Sequence, residues 1–287
     1  MRVLFCGVRG STPAPGAEFV RVGGHTSCVA LAHDDRPWAL LLDAGTGIRR
    51  VTAEVDGAFR GTVLLTHLHW DHVQGLPFFA GGDRDDAHVR VYLPEQIGAD
   101  GRARDAAEVL ALAMSPPHFP IGPEGLRGDW GFAGIAPGPH RFEDFAVVAF
   151  DVPHKGGRTF GYRISDGDAS IAYIPDHLPD PTTMPTIARA CAGVDVLVHD
   201  AQFVEQERAV ADLYGHATVD DALELAALAG ARRLALFHHA PARSDDDVET
   251  IGRRLAQAAS DRGVDVFVAR EEDVIDLARP PVNEHSR

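Results

Sequence analysis

Three histidines and an aspartate fall within six positions in THLHWDH, where His67, His69, Asp71 and His72 follow the apolar run TVLL. Imidazole and carboxylate both bind metals, and four such groups in so short a span exceed what one ion takes from one segment. Two ions, about 3.5–4 Å apart around a shared hydroxide, are the economical expectation, and a cluster without thiolate suits zinc, manganese or iron. Other apolar runs also finish in metal-capable or titratable groups: His154 after AVVAFDVP, Asp176 after IAYIP, His199 and Asp200 in DVLVHD, and His238 and His239 after RLALF.

The elements that must position these groups are short runs rich in Val, Ile and Leu. RVLFCGV, TSCVALA, WALLLDAG, TVLLTH, AVVAFDVPH, IAYIPD, DVLVHD and RLALFHH read as strands between Gly and Pro punctuation. Helical patterns join them late in the chain. In HATVDDALELAALAG, Thr218 is the expected N-cap, Asp221 its capping-box partner and Gly230 the stop, and SDDDVETIGRRLAQAAS repeats the design from Ser244. Strands interleaved with helices imply a layered α/β sandwich whose strand ends open onto a common crevice. If the chain stays extended beyond TVLL, His67 and His69 share a face, and the turn into HVQGLPFF brings Asp71 and His72 beside them. Nothing marks a second domain, so residues 1–287 are expected to form a single domain. The Pro- and Gly-dense stretch 114–131 reads as a surface loop able to serve as a lid, with His118 and Phe119 available to cover a base or ring.

THLHWDH matches the H-x-H-x-D-H signature of the metallo-β-lactamase superfamily, and His154, Asp176 and His238 follow in that family's order. The resemblance spans most of the chain and implies a four-layer αββα sandwich with the site at one edge of the sheets. It implies that His67, His69 and His154 hold one metal, that Asp71, His72 and His238 hold the other, and that Asp176 bridges them. His238 comes first at the carboxyl end of RLALF and is preferred to His239, which is left behind the ligands or exposed. LLDAG around Asp43 resembles the family's ligand-orienting aspartate. YGHATVDDA resembles the G-H-[S/A]-T element of phosphodiester-cleaving members, in which the histidine, here His216, assists the leaving group. LVHDAQF, with His199 and Asp200, resembles an element that orients such a histidine. GVRGSTP and GGHTSC resemble the Gly-rich opening of the same branch, with His25 where Asn is usual. Lys155, the only lysine, reads as a solvated charge.

Composition narrows the partners. A formal charge of -15 has the wrong sign for a surface that tracks phosphates, so neither nucleic acid nor an anionic membrane is the expected partner. Three scattered cysteines form no C-x-x-C pair, which speaks against a disulfide framework and a thiolate zinc site. No run resembles a signal peptide or a membrane span, and a cytoplasmic chain, free to form a homodimer, is expected. The resulting expectation is a hydrolase using two divalent ions, zinc ahead of manganese or iron, with Asp71 and His216 as catalytic residues. Its substrate is expected to be a small cyclic phosphodiester, a cyclic nucleotide or cyclic ribose phosphate. The alternatives are an endoribonuclease that trims tRNA 3′ ends, whose Gly- and basic-rich arm has no counterpart here, and a thioester or lactone hydrolase, which has no need of His216.

Overall fold

The computed structural model describes residues 1–277. Among these, two seven-stranded sheets are stacked. The first runs β1 (Arg2–Gly7), β2 (Cys28–Ala32), β3 (Leu40–Leu42), β4 (Arg60–Leu64), β5 (His88–Pro94) and β6 (Asp129–Ile135). The second runs β7 (Gly138–Phe142), β8 (Phe145–Asp151), β9 (Phe160–Ser165), β10 (Ser170–Ile174), β11 (Val196–Asp200), β12 (Arg233–Phe237) and β13 (Asp265–Val268). A last strand, β14 (Val274–Asp276), returns to the first sheet beside β1. The helices are α1 (Ile48–Glu54), α2 (Trp70–Val73), α3 (Ala106–Ala111), α4 (Met184–Ala190), α5 (Arg208–Tyr214), α6 (Val219–Ala229) and α7 (Asp245–Ala259).

Phe5, Leu31, Leu42 and Leu64 from the first sheet meet Tyr162, Tyr173, Val198 and Phe237 from the second in the central core. The outer face of the first sheet packs on α1 and α3, and that of the second on α4, α6 and α7, which makes the expected αββα sandwich. This layering explains the sequence pattern. β2, β3, β10 and β11 are buried along their whole length and read as unbroken apolar runs, whereas β8 alternates buried and exposed positions because one face meets solvent. α6 has the expected ends: the Asp221 amide donates to the Thr218 hydroxyl at 3.3 Å, the Thr218 amide donates to the Asp221 carboxylate at 2.8 Å, and Gly230 stops the helix at φ 62°. Ser244 caps α7 in the same way.

The structure departs from the sequence reading in three places. β5, β6, β7, β9, β13 and β14 were not among the runs read as strands. Helices are not confined to the later part of the chain, since α1, α2 and α3 lie in its first half. Residues 129–131 of the stretch expected to be a loop open β6, whose parallel pairing with β5 outweighs their weak local propensity. No helix among the described residues is long and apolar enough to cross a membrane.

A buried ion pair fastens the Gly-rich opening to the end of the fold. Arg9, fully buried, donates to the carbonyls of Gly23 and Arg243, both at 2.7 Å, and to the Asp245 carboxylate at 3.2 Å. Asp245→Ala leaves this guanidinium without its nearest counter-charge, and the expected result is a loss of about 3–5 kcal/mol of stability, read as a lower urea midpoint at unchanged slope.

Candidate metal centre

Strand direction decides which side chains can meet. β3 and β4 are parallel, so Asp43 and the Thr66–His67 pair leave the first sheet at one edge. β10, β11 and β12 are parallel, and β8 runs with them because both it and β10 pair antiparallel to β9. His154, Asp176, Asp200 and His238 therefore leave the second sheet on the same side. His69 is extended, with ψ 151°, and the single turn of α2 that follows brings the His72 amide back to the His69 carbonyl at 3.0 Å. That turn carries Asp71 and His72 inward while Trp70 stays exposed.

The seven residues form two groups that share one carboxylate. Oδ2 of Asp176 lies 3.4 Å from His67 Nε2 and 3.3 Å from His154 Nε2, and His154 Nε2 is 3.2 Å from His69 Nδ1. Oδ1 of Asp176 lies 3.3 Å from His72 Nε2 and 3.0 Å from His238 Nε2. Asp71 Oδ2 completes the second group, 3.1 Å from His238 Nε2 and 3.3 Å from His72 Nε2. His67, His69, His154 and Asp176, and separately Asp71, His72 and His238, have potential ligand atoms within 4.8 Å of one another, so each set could hold an ion.

Neighbouring groups settle which nitrogen three of the five imidazoles present. The His72 Nδ1–H donates to Asp43 at 2.8 Å, His154 Nδ1–H to the Gly215 carbonyl at 2.6 Å, and His67 Nδ1–H to the Thr66 hydroxyl at 3.0 Å. Asp43 also accepts from the Thr66 amide at 2.7 Å and from the Tyr173 hydroxyl at 3.0 Å. The inward atoms His67 Nε2 and Asp176 Oδ1 are buried with no hydrogen-bond partner. Orphaned buried lone pairs in an all-nitrogen-and-oxygen donor set fit divalent cations such as zinc, manganese or iron.

The electrostatics agree with that fit. Burial lowers the pKa of His67, His69 and His154, keeping them neutral with lone pairs available. Burial pushes the Asp176 carboxyl up, but the imidazoles of His238, His72 and His67 outweigh it and hold it well below the usual carboxylate range. Asp71 is depressed in the same way, against burial, chiefly by His72 and His238. Asp43 stands behind this arrangement at φ 59°, a backbone conformation that Asn also tolerates. Asp43→Asn therefore tests the charge rather than the turn. Its expected result is 10- to 100-fold weaker metal affinity, to order of magnitude, measured by competition with a chelator.

His216 stands beside the two groups, its ring 5.3 Å from that of His238 and 5.2 Å from that of His154. Gly215, at φ 85°, ends α5 and turns the chain so that its carbonyl reaches His154 while the next residue enters the pocket. His216 Nδ1 donates to Asp200 at 2.9 Å, which leaves Nε2 for a ligand. Burial pushes the His216 pKa down, but the Asp200 carboxylate raises it further, to about 9. Asp200 is itself fixed by the amides of Gln202 at 3.0 Å, Ala217 at 3.1 Å and His177 at 3.2 Å.

All seven residues expected to bind metal, and His216, converge. Other assignments divide. Asp200 meets His216, whereas His199 turns away and bonds His177 at 3.0 Å. His239 is neither exposed nor behind the ligands: it is buried on the Ala269 carbonyl at 3.2 Å, with its pKa pushed down to about 3 by burial and Arg9. Lys155 is solvent-exposed and donates to the Leu213 carbonyl. At position 25 the backbone carbonyl accepts the amides of Val8 and Arg9, both at 2.9 Å, while the His25 ring rests 3.2 Å from the Thr46 hydroxyl. The sequence reading missed Ser11, whose amide donates to Asp71 at 2.6 Å, and the Thr66 and Tyr173 hydroxyls on Asp43. It also missed why Gly10 is glycine: a Cβ there would stand 2.3 Å from His238 Nδ1.

The αββα fold and this imidazole–carboxylate pocket define a metal-dependent hydrolase. Residues 39–239 match the beta-lactamase superfamily domain, and the chain belongs to that superfamily. Ribonuclease Z of Natronomonas pharaonis is 24% identical, with 98% of this chain and 99% of the relative covered. Ribonuclease Z of Limosilactobacillus fermentum is 28% identical over 75% of this chain and 80% of the relative. Among solved structures, zinc-bound PqqB from Methylobacterium extorquens superposes with a TM-score of 0.70 at 21% identity, covering 96% of this chain and 100% of that one. Human short-form tRNase Z superposes with a TM-score of 0.67 at 20% identity, covering 98% and 100%.

Proposed function

We propose that this protein is a metal-dependent phosphodiesterase in which Asp176 bridges two divalent cations, one held with His67, His69 and His154 and the other with Asp71, His72 and His238. The observation that carries the reading is the Asp200–His216 pair at the rim of a pocket already furnished for metal. A thioester hydrolase, whose thiolate leaves without a proton, has no need of a carboxylate-held imidazole there, whereas a departing alkoxide does. Bound in these two groups, divalent cations would supply Lewis acidity. The protein's own residues do the rest. His216, oriented by Asp200, donates to the leaving oxygen through Nε2. Asp71, fixed by the Ser11 amide, orients the attacking side of the pocket. Asp43, Thr66 and Gly215 hold three imidazoles in the tautomer that leaves Nε2 free.

Among phosphodiesters we place RNA first. The similar ribonuclease Z chains align over 75% to 98% of this one, which favours the endoribonuclease reading over a cyclic substrate and weighs against the expectation that nucleic acid is not a partner. A small cyclic phosphodiester is the second reading, favoured by the charge of -15, which suits a compact ligand better than a long RNA footprint.

The test is turnover by metal-stripped protein reloaded with zinc, manganese or iron, with Asp71→Ala as control. The substrates are bis(p-nitrophenyl) phosphate, a tRNA precursor with a 3′ trailer, and a panel of cyclic nucleotides. Metal-dependent trailer cleavage supports the first reading. Hydrolysis of a cyclic nucleotide with the precursor left intact supports the second. If two metals bind and every phosphodiester survives, the proposal fails, and thioesters and lactones come next.

A further inference from the structure

A second concavity of about 860 Å³ adjoins the metal pocket, within the range that holds a small-molecule ligand. Leu68, Trp70 and Phe78, which follow β4, line it together with Leu110, Met114 and Phe119 from α3 and the segment after it. Leu68 and Trp70 line the metal pocket as well, so the two concavities share a wall. Trp70 sits in sequence between His69 and Asp71, yet 74% of its surface is exposed, and Phe78 is 58% exposed. Apolar surface left in water next to a reactive centre marks a place where a ligand is meant to lie.

We propose that this groove is a subsite for a planar aromatic group carried by the substrate, an unpaired nucleobase, stacked on Trp70 while its phosphodiester lies at the metals. The inference rests on the phosphodiesterase reading. Three observations select a flat heteroaromatic ring over an acyl chain. The walls are aromatic, with Phe78 and Phe119 edge to face at 5.8 Å. The lining also carries His118 and the amides of Gln74 and Gln96, which donate to the Thr26 hydroxyl and the Pro94 carbonyl and keep their oxygens for the edge of a base. Arg104 lines it too, and among the described residues its guanidinium makes no hydrogen bond or ion pair, which leaves it free to meet a neighbouring phosphate.

The experiment has two arms on the metal-loaded enzyme. In the first, tryptophan fluorescence is titrated with thymidine 5′-monophosphate and with deoxyribose 5-phosphate, using Trp70→Phe to assign the signal against Trp38 and Trp130. Saturable quenching by the nucleotide alone, absent from Trp70→Phe, is expected. Equal response to both ligands, or quenching by a lysoglycerophosphate but not by the nucleotide, overturns the assignment. This arm needs no turnover, so its failure is separable from failure of the phosphodiesterase reading. In the second, KM for thymidine 5′-(p-nitrophenyl phosphate) is expected to rise about tenfold in Trp70→Ala, the size of one base–aromatic stack, with metal content measured beside it. Phe119→Ala, farther from the metal-binding residues, is expected to raise KM in the same direction. Unchanged KM in both variants overturns the proposal.

Discussion

His216→Ala is expected to lower kcat for phosphodiester hydrolysis by about 10²–10⁴-fold, the range for loss of a positioned general acid, while both metals stay bound. The second half of that expectation is what gives the experiment its edge. His216, Asp176 and His238 have potential ligand atoms within 4.8 Å of one another, so the imidazole is close enough to be a ligand in its own right. Its Nδ1 is already committed to Asp200 at 2.9 Å, and the chain supplies other imidazoles to both groups. Metal content measured beside kcat separates the roles: a variant that loses metal together with activity makes His216 a ligand and removes it as proton donor. Asp200→Asn is expected to fall in the same direction by less, since the amide oxygen can still accept from Nδ1 but no longer favours the charged imidazole. A substrate whose leaving group is a stabilised nitrophenolate should be less sensitive to both changes than one that releases an alkoxide.

The largest loss is expected from Asp176→Ala. One carboxylate faces both groups, Oδ2 toward His67 and His154 and Oδ1 toward His72 and His238. Removing it takes away the only residue common to both sets and leaves imidazoles facing one another across the gap. Bound metal is expected to fall from two equivalents to one or none by elemental analysis. Activity should fall at least as far as in His216→Ala, on the order of 10³-fold or more. Because metal binds the folded chain and not the unfolded one, the stabilisation it confers is lost as well. Added zinc should then raise the melting temperature of the wild type but not of the variant. A variant that keeps both metals refutes the bridging role.

How far the sequence reaches depends on whether a residue's role is marked by its own type and near neighbours or by a partner far along the chain. His67, His69, Asp71, His72, His154, Asp176 and His238 act through side chains at strand ends, and the strands that carry them are short apolar runs, so types and spacing expose them. Thr218, Asp221 and Gly230 are legible for a similar reason, since capping is local chemistry. Ser11 reaches Asp71 with its amide across 60 positions, and Tyr173 reaches Asp43 from the other sheet across 130, relations that no local pattern carries. The missed strands include GPHRF and DWGFAGI, which contain Gly or Pro and are held by pairing with β8 and β5 rather than by their own propensity. His239 was misjudged because its neighbour His238 adopts φ 57°, which turns the two side chains to different surroundings and buries the second beneath Arg9 and Ala269.

The Arg9–Asp245 clasp and the late position of His238 bear on when a newly made chain becomes competent. A polypeptide emerging from the ribosome carries His67 through Asp176 well before His238 appears, and Arg9 waits for Asp245 before the opening loop that delivers Ser11 to Asp71 is clasped shut. Contacts across such separations form late in folding. Hydrolytic capacity should therefore switch on near the end of synthesis rather than grow with chain length.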